Sequence, residues 1–518
     1  MSKGFFLDKE MLDLLSGLSD SVASSVIEVI DSLNIRERVI TKGIFQKHFD
    51  SFKSLLIEDP CFKDPEGFFG CMGVKKKGEK VLEVSSLGGS NKVKILSAPA
   101  FPQKKVEVRD FVNHFRSRYD SIKSILEKRD FDNLSSIRKI GDDRESYTII
   151  ACVLSKRFTK NKNLFLEVED PTGKTIVLIN HNKKEVFEKA RELLEDDIVA
   201  FSVNGSREML FANEIIFPET ALEERRYGDK EAYVAFISDF HAGSKMFLEK
   251  NLLRFVRWVN GEEGDNKQKE IAKKVKYIFI VGDVIDGVNH MPGQRKYLDI
   301  FTSVGQYKKV EEILKLVRKD VQMIMCPGQH DSVWVGEPQP LISERWAEGL
   351  HKMENLHLVS NPAMIEIDSG FKVLMYHGAS INQFIEEIPE IRTKYGHNRP
   401  TRVVKEMLKR RHLAPIHGLM DYIPCENGDP LVIKEVPDIV ATGDQHKAEV
   451  SVHNNILLVA SSCFQSVTPF EERVGNNPDP CKVPIFNLKT REIKILDFSD
   501  SEEEVLVERE AENEKNSN

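Results

Sequence analysis

The sequence has few of the features that mark secreted, membrane-bound or nucleic-acid-coating proteins. It has seven cysteines in 518 residues and no C-x-x-C pair, which argues against a disulfide framework and against structural zinc. No apolar run approaches the roughly 20 residues that cross a bilayer, and acidic residues interrupt the N-terminus too early for a signal peptide. The formal net charge of −8 argues against coating nucleic acid by bulk electrostatics. We therefore expect a multidomain cytoplasmic protein without membrane contact.

Composition and periodicity divide the chain into five segments. Apolar residues at helical spacing predict a helical N-terminal domain over residues 1–57. Prolines, glycines and a lysine-rich run predict a flexible linker over 58–106. Residues 107–225 and 230–497 hold the predicted strands and are expected to fold as two further domains. The polar, acidic residues 498–518 predict a disordered tail.

The segment 107–225 combines one long helix with a set of short strands. Apolar residues on one face predict a helix over about 107–129. Two strands joined by the turn Asp170-Pro-Thr-Gly173, a third strand, a helix near 184–194 and further strands predict a small barrel of the OB type. OB barrels often bind single strands through stacked aromatic residues, and contact with another protein is the alternative. The candidate surface carries Lys156, Arg157, Lys160, Lys162 and Phe165.

The segment 230–497 alternates apolar strands with helices and predicts one α/β unit. Residues of metal-ligating types follow five of its strands. In open α/β folds, ligands bind beyond the carboxyl ends of the strands. This repeated position therefore predicts a metal site at one rim of the sheet. The strands are expected at 234–237, 275–281, 321–325, 373–376, 438–442 and 456–460.

The first two of these strands lead into three candidate ligands. Asp239 and His241 are separated by one residue, so both side chains are able to reach the same point. A hard oxygen ligand beside an imidazole suits a divalent ion such as Mn, Fe or Zn. Asp283 follows Gly282, whose freedom to turn tightly presents the carboxylate to the site. The two oxygens of that carboxylate are able to bridge two ions.

Later strands lead into an amide, a candidate acid and further ligands. Gln329 offers a neutral oxygen ligand, and His330 is positioned to act as a general acid beside the metals. Asp331 is expected to hold the His330 ring in position. The last two motif-bearing strands add His377, Asp444 and His446.

The order D-x-H, G-D-x-x-D, G-Q-H-D, H-G and G-D-x-H resembles the motif order of the calcineurin-like metallophosphoesterases. The neighbouring phrases narrow the resemblance to the small subunit of the archaeal family D DNA polymerase, and it covers the chain from about 107 to about 497. It implies an α/β phosphoesterase sandwich beside an OB barrel and an N-terminal helical domain. The phrases are Gly282-Asp-Val-Ile-Asp-Gly287, Pro292-Gly-Gln294, Tyr376-His-Gly378, Val436-Pro-Asp-Ile439 and Val483-Pro484.

The resemblance also implies an activity and a partner. The activity is a 3′→5′ exonuclease that proofreads DNA 3′ ends for a separate large catalytic subunit. No stretch of this chain matches a polymerase active site or a nucleotide P-loop, so synthesis would belong to that subunit. His330 would be the general acid of the exonuclease. At the metals, one ion would be held by Asp239, His241 and His446, a second by Gln329 and His377, with Asp283 bridging.

Two positions depart from the pattern of the family. Gln329 stands where the family has asparagine, and Asp444 stands where it has the first histidine of G-H-x-H. Both replacements keep an oxygen ligand. The additional carboxylate makes the site harder, which favours two Mn or Mg ions over Zn.

Three functions are compatible with these residues. The first is a metal-dependent 3′→5′ exonuclease subunit of a replicative DNA polymerase. The second is a catalytically weak structural subunit that holds the large subunit. The third is a phosphatase on the same fold, against which the predicted barrel and linker count. Nucleotide release from a mismatched primer separates the first two, and activity on a phosphomonoester but not on DNA would favour the third.

Overall fold

In the computed structural model, the chain divides into two compact units, Met1–Lys80 and Val81–Asn518. In the first unit, strand β1 (Phe6–Leu7) pairs in parallel with β2 (Val39–Ile40). The other residues of the predicted helical domain, 1–57, lie outside the described residues. Apart from three two-residue strands, the described residues are 93–99, 101–102, 105–418, 420–474 and 476–500.

The second unit begins with strands that lie inside the predicted linker 58–106. Strand β3 (Leu82–Glu83) pairs antiparallel with β4 (Lys94–Ser97). Val93 is buried and Ile95 packs against the same core cluster, so this part of the segment is a sheet strand and the prediction of a linker is wrong there. Only Val93 and Ile95 alternate as core residues here, and so short a pattern is hidden among the neighbouring prolines and glycines.

A long helix and a closed five-stranded barrel follow. The helix, α1 (Val108–Leu126), agrees with the prediction over 107–129. The barrel elements are β5 (Glu145–Phe158), β6 (Leu164–Asp170), β7 (Gly173–Ile179), α2 (Lys184–Arg191), β8 (Ile198–Ser206) and β9 (Met209–Ile216).

The barrel closes in the strand order β5-β6-β7-β9-β8. Strands β7 and β9 are parallel, and the other neighbours are antiparallel. Side chains alternate between inside and outside, so Leu164, Leu166 and Val168 of β6 fill the interior. The closed barrel is confirmed, and its OB type remains a prediction.

The rest of the unit, as far as its residues are described, is an α/β part with eleven strands and eight helices. The strands are β10 (Tyr233–Ile237), β11 (Val275–Val281), β12 (Gln322–Cys326), β13 (Leu356–Leu358), β14 (Ala363–Ile367), β15 (Phe371–Met375), β16 (Ile439–Thr442), β17 (Glu449–His453), β18 (Ile456–Ala460), β19 (Lys482–Asn487) and β20 (Ile493–Asp497). The helices are α3 (Glu249–Val259), α4 (Asn266–Ala272), α5 (Ser303–Leu314), α6 (Glu344–His351), α7 (Ile381–Glu387), α8 (Pro389–Lys394), α9 (Pro400–Arg410) and α10 (Pro469–Val474).

These strands form two sheets rather than one. The first has the order β13-β12-β11-β10-β19-β20, in which β10 to β13 are parallel. The second has the order β17-β18-β16-β15-β14-β4-β3, in which β15, β16 and β18 are parallel. All six predicted strands of 230–497 are present within two residues of their expected bounds.

The two sheets pack face to face with helices outside them. In β10, Val234 and Phe236 point into the core between the sheets, while Ala235 and Ile237 point into a second core under α3, α5 and α6. A third core lies between the second sheet and α7 to α9. Because both faces of the central strands are buried, their sequences are continuously apolar. The α/β sandwich that the resemblance implies is confirmed as two packed sheets, and its phosphoesterase type remains a prediction.

Helix α1 joins the barrel to the α/β part. The Tyr119 hydroxyl donates to the carbonyl of Ile150 in the barrel at 2.8 Å. On the other side, Arg118 Nε donates to Asp429 Oδ2 at 2.6 Å. Both side chains are buried, so helix α1 holds the two regions together.

The C-terminal end corrects one predicted boundary. Phe498 is buried beside Phe255 and Trp258, so the chain is part of the core where the tail 498–518 was expected to start. Residues 501–518 lie outside the described residues. Among the helices that the structure describes, none has the length and apolarity to cross a membrane.

Candidate metal centre

Loops from both sheets meet at one rim of the sandwich. The loops after β10, β11 and β12 come from the first sheet, and those after β15 and β16 come from the second. They bring together three overlapping groups of ligand atoms. Within each group, the atoms all lie within 4.8 Å of one another. The groups are Asp239, His241 and His446; His241, Asp283 and His330; and Asp239, Asp283 and His377.

The backbone of this rim is held in an unfavourable conformation. Five non-glycine residues have left-handed φ angles between 49° and 64°. Such conformations cost of order 1–3 kcal/mol each and persist where the surroundings impose them. The left-handed conformation turns each side chain sharply away from its strand and toward the common centre. The residues are Asp239, His241, Asp283, Asp444 and His446.

Two glycines allow the loops to approach each other. A Cβ on Gly328 would lie 2.2 Å from Asp283 Oδ1 and 2.6 Å from His377 Nε2. A Cβ on Gly282 would lie 2.3 Å from His377 Nδ1, and its φ of +82° also favours glycine. Any side chain at either position would therefore fill the space between the ligands.

The His377 ring has a defined tautomer. Its Nδ1 lies 2.7 Å from the carbonyl oxygen of Val281, which only accepts hydrogen bonds, so Nδ1 carries the proton. Nε2 then faces the centre, 3.2 Å from Asp283 Oδ2. Nε2 has no hydrogen-bond partner among the described residues although His377 is buried.

A second pair of imidazoles faces the same centre. His241 Nε2 lies 3.3 Å from His446 Nε2, and Asp239 Oδ1 lies 3.5 Å from that same nitrogen. Asp239 Oδ1 is buried and has no hydrogen bond to the part of the chain that the structure describes. Buried polar atoms without partners are costly. Divalent cations would supply the missing partners, so the residues present fit a metal centre.

The electrostatics of the centre also call for positive charge. Burial acts to raise the pKa of Asp283, but His377 and His330 hold it well below its usual range. Burial acts to lower the pKa of His377, but the Asp283 carboxylate raises it well above its usual value. The carboxylates of the centre therefore stabilise positive charge on the imidazoles, and a divalent cation would meet the same demand.

Two carboxylates that sequence reasoning left out of the site orient its histidines. Glu471 Oε1 lies 2.8 Å from His446 Nδ1, which turns Nε2 toward the centre. Asp286 Oδ1 lies 3.5 Å from His241 Nδ1. Such outer carboxylates fix the ring and raise the basicity of a metal-ligating histidine. Asp286 was visible as the second acid of G-D-x-x-D, whereas Glu471 lies 25 residues after His446 and has no motif of its own.

His330 is held beside the ligands by the loop that follows β11. Its backbone N–H donates to Asp283 Oδ1 at 2.8 Å, and its Nδ1 donates to the carbonyl of Asp286 at 2.9 Å. Nε2 is therefore the atom that gains or loses a proton. Burial acts to lower the pKa of His330, but Asp283 and Asp286 outweigh it, so the pKa is raised. A raised pKa favours the protonated ring, which suits an acid.

Asp331 corrects one prediction. Its Oδ1 accepts from the Tyr307 hydroxyl at 3.0 Å, and its Oδ2 accepts from the backbone N–H of Gly328 at 2.9 Å. The Asp286 carbonyl, rather than Asp331, holds the His330 ring. Asp331 instead fixes the loop after β12, because it bonds the start of that loop. Burial, followed by the neighbouring Asp283, raises the pKa of Asp331 to about 7.

The two residues that depart from the family pattern are placed differently. Asp444 Oδ1 lies 3.9 Å from His377 Nε2, and its backbone N–H donates to Asp239 Oδ2 at 3.1 Å. Its other oxygen accepts from Gln445 Nε2 at 2.6 Å. Gln329 is half-buried in the loop beside His330, and its side chain makes no hydrogen bond to the residues that the structure describes.

Comparisons with known proteins show which family the chain resembles. Residues 234–451 match the family model for the B subunit of DNA polymerases alpha and epsilon. The chain is similar to the DNA polymerase II small subunit of Methanothermobacter thermautotrophicus, with 34% identity over 76% of this chain and 80% of that protein. It is also similar to the DNA polymerase II small subunit of Archaeoglobus fulgidus, with 36% identity over 73% of this chain and 75% of that protein.

Among solved structures, an archaeal phosphodiesterase gives a TM-score of 0.26 at 14% identity, covering 51% of this chain and 98% of that chain. That similarity is too weak to bear on fold or activity. The alignments with these two relatives cover most of this chain and most of each relative, and they confirm the resemblance that the motifs predicted. The chain belongs to the family of DNA polymerase II small subunits.

Proposed function

We propose that this small subunit is a metal-dependent 3′→5′ exonuclease that removes mismatched nucleotides for a large catalytic polymerase subunit. One observation carries the proposal. Asp283 from the first sheet lies 3.2 Å from His377 of the second, with imidazoles and carboxylates on both sides of the pair. This arrangement has the donors for two ions that share one bridging carboxylate.

The donor set indicates which ions would bind and which residues would hold each of them. The carboxylate of Asp444 beside His377 adds a hard oxygen, which favours Mn or Mg. When bound, two such ions would neutralise a phosphodiester and lower the pKa of water. Asp239, His241 and His446 would hold one ion, Gln329 and His377 would hold the other, and Asp283 would be shared.

The chain itself supplies the acid. In the hydrolysis, a water molecule loses a proton to the solvent, its oxygen bonds to phosphorus, and the bond between phosphorus and the 3′ oxygen breaks. His330 donates its Nε2 proton to that departing oxygen, because Nδ1 is engaged with the Asp286 carbonyl. The products are a nucleoside 5′-monophosphate and a strand with a new 3′ hydroxyl. Asp286 thus orients His330 through its backbone carbonyl, while its carboxylate lies near His241.

The partner follows from what this chain does not contain. The relatives are named small subunits, and no polymerase or P-loop motif is present in the sequence. We infer that a separate large subunit synthesises DNA in the cytoplasm and passes mismatched 3′ ends to this centre.

The test measures release of the terminal nucleotide from a 3′-mismatched primer in the presence of Mn. Replacing the acid, His330→Ala, is expected to lower kcat by about 10²–10⁴-fold without loss of bound metal. His453→Gln is the control, because His453 lies on β17 and contacts Glu219 rather than any residue of the centre.

A second substrate separates a lost acid from a damaged site. In a nitrophenyl phosphodiester, the nitrophenolate leaves without needing a proton. His330→Ala should therefore retain most of its activity on that diester. An equal loss on both substrates would remove His330 as the acid. If the wild-type protein releases no nucleotide, even with a large subunit present, a structural role becomes the better explanation.

A further inference from the structure

The outer surface of the barrel is covered on one side and open on the other. Helix α1 packs against the outer residues of β5 and β8. On β6, β7 and β9, the outward side chains include the apolar residues Phe165, Leu178 and Phe211. The first two are half-buried and Phe211 is 40% exposed. Large apolar side chains are thus open to solvent on the side that α1 leaves free.

These outward side chains form a continuous row across four strands. Arg157 is opposite Phe165, Phe165 is opposite Leu178, and Leu178 is opposite Phe211. Residues directly opposite each other on paired strands lie on the same face. We call Arg157, Phe165, Leu178 and Phe211 the barrel row.

Positive charge lies at one end of the barrel row. The Arg157 guanidinium carbon is 4.3 Å from the centre of the Phe165 ring. The loop from β5 to β6 adds Lys160 and Lys162, which are both exposed. Among the described residues, no carboxylate pairs with these three cations. Next to this loop, Phe158 is 63% exposed. In a protein of net charge −8, this is a local site for an anion.

We propose that the barrel row and the Lys160–Lys162 loop bind single-stranded DNA, with bases stacked on Phe165 and Phe211 and phosphates at the cations. Stacking platforms beside basic loops suit single strands because every base has a flat face. A protein partner fits less well, since lysine is depleted in protein–protein interfaces. The site is distinct from the metal centre and does not depend on the proposed exonuclease.

The experiment measures the fluorescence anisotropy of a labelled oligodeoxythymidine with the full chain in EDTA, which prevents hydrolysis. Phe165→Ala and Phe211→Ala are each expected to weaken binding about tenfold. Phe211→Tyr keeps a stacking ring and should bind like the wild type. Tyr227→Ala is the matched control, because Tyr227 is 57% exposed with the Arg491 guanidinium 5.9 Å from its ring, outside the barrel.

A charge variant tests the same site without touching the packed barrel. Lys160→Gln with Lys162→Gln should make the slope of log affinity against log salt shallower by about 0.7 for each lost phosphate contact. If Phe165→Ala fails to fold, this loop variant decides. Absence of binding by the wild type, or unchanged binding by all these variants, overturns the proposal. Unchanged DNA binding with weaker association to a large subunit would make the barrel row a protein interface.

Discussion

Two buried aspartates of this chain lie among imidazoles and differ in how their charge is compensated. Asp429 Oδ2 accepts from Arg118 Nε at 2.6 Å and lies 2.9 Å from His412 Nε2, and its Oδ1 accepts from the backbone of Leu431 at 2.9 Å. Asp239 has a buried Oδ1 without any hydrogen bond to the described residues. We call Asp429, Arg118, His412 and the neighbouring His114 the Asp429 cluster.

The difference separates a cluster that balances its own charge from one in which several buried polar atoms lack partners. The Asp429 cluster contains a permanent cation, Arg118, so the charge is balanced within the chain. Only one ring nitrogen in its described side chains, His114 Nδ1, is without a partner. The metal centre contains carboxylates and imidazoles, but in the described part of the chain no arginine or lysine pairs with them, and several of its atoms are unpaired. Its carboxylates are therefore compensated only by protonated imidazoles or by a bound cation.

The largest expected effect removes the Asp283 carboxylate, which belongs to two of the three groups of candidate ligands. Asp283→Asn should lower nucleotide release by at least about 10³-fold, or about 4 kcal/mol in the barrier, because the centre would lose the carboxylate proposed to serve both ions. Bound Mn, measured by elemental analysis, should fall with it. Asp142→Asn, an exposed carboxylate on the barrel, is the control. Full metal content in Asp283→Asn would contradict the assignment.

The next effect removes the cation of the Asp429 cluster. Arg118→Met leaves Asp429 buried without its main partner, which should destabilise the protein by about 3–5 kcal/mol in urea denaturation. Adding Asp429→Asn should restore part of that loss, because the unpaired charge is gone. A single variant as stable as the wild type would show that the cluster does not hold α1 in place.

The third effect is a dependence of stability on pH. His412 Nδ1 accepts from the backbone N–H of Ala414 at 3.0 Å, so the ring is neutral with its proton on Nε2, facing Asp429. Burial first, and Arg118 second, lower the pKa of His412 from 6.5 to about 4. Between these values the unfolded chain binds a proton that the folded chain does not, so stability falls as the pH falls.

The loss should reach about 3 kcal/mol at the acid end of that range. His412→Gln has no proton to bind, so its stability relative to the wild type should improve as the pH is lowered from 7 to 4. Urea midpoints at several pH values measure the difference. A difference that stays constant with pH would show that His412 titrates alike in both states.

A smaller effect concerns the carboxylate that orients His446. Glu471→Gln keeps the size of the side chain and removes the charge beside Nδ1, which should weaken metal affinity or activity by about 10–100-fold. Titration calorimetry with Mn measures the affinity. Glu472→Gln, the exposed neighbour on α10, should bind Mn normally. Equal affinities for the two variants would show that Glu471 does not act on the metal.

The smallest effect restores the family residue at position 444. Asp444→His replaces a hard oxygen by an imidazole nitrogen, so the preference should move a few-fold from Mn toward Zn. Competition between the two ions, followed by elemental analysis, measures the shift. An unchanged preference would show that Asp444, which also accepts from Gln445, is not a ligand.

The position of the site was predictable because strand ends and motifs are local features. The apolar strands 275–281 and 456–460 have the predicted bounds, and the residues after five strands do converge. Glu471 was not predictable, since it reaches His446 only through the docking of α10. The strand at Lys94–Ser97 was missed for a similar reason, because it is stabilised by pairing with β14 rather than by its own pattern.

The sequence by itself determined the chemical types in the site and the strands that carry them, because hydrophobic periodicity and motif spacing are set along the chain. Only the tertiary structure decided which groups share a proton or a cation. Two sheets had to pack before Asp283 met His377, and α1 had to dock before Arg118 met Asp429. Charge compensation depends on distances between segments remote in sequence, and packing alone sets those distances.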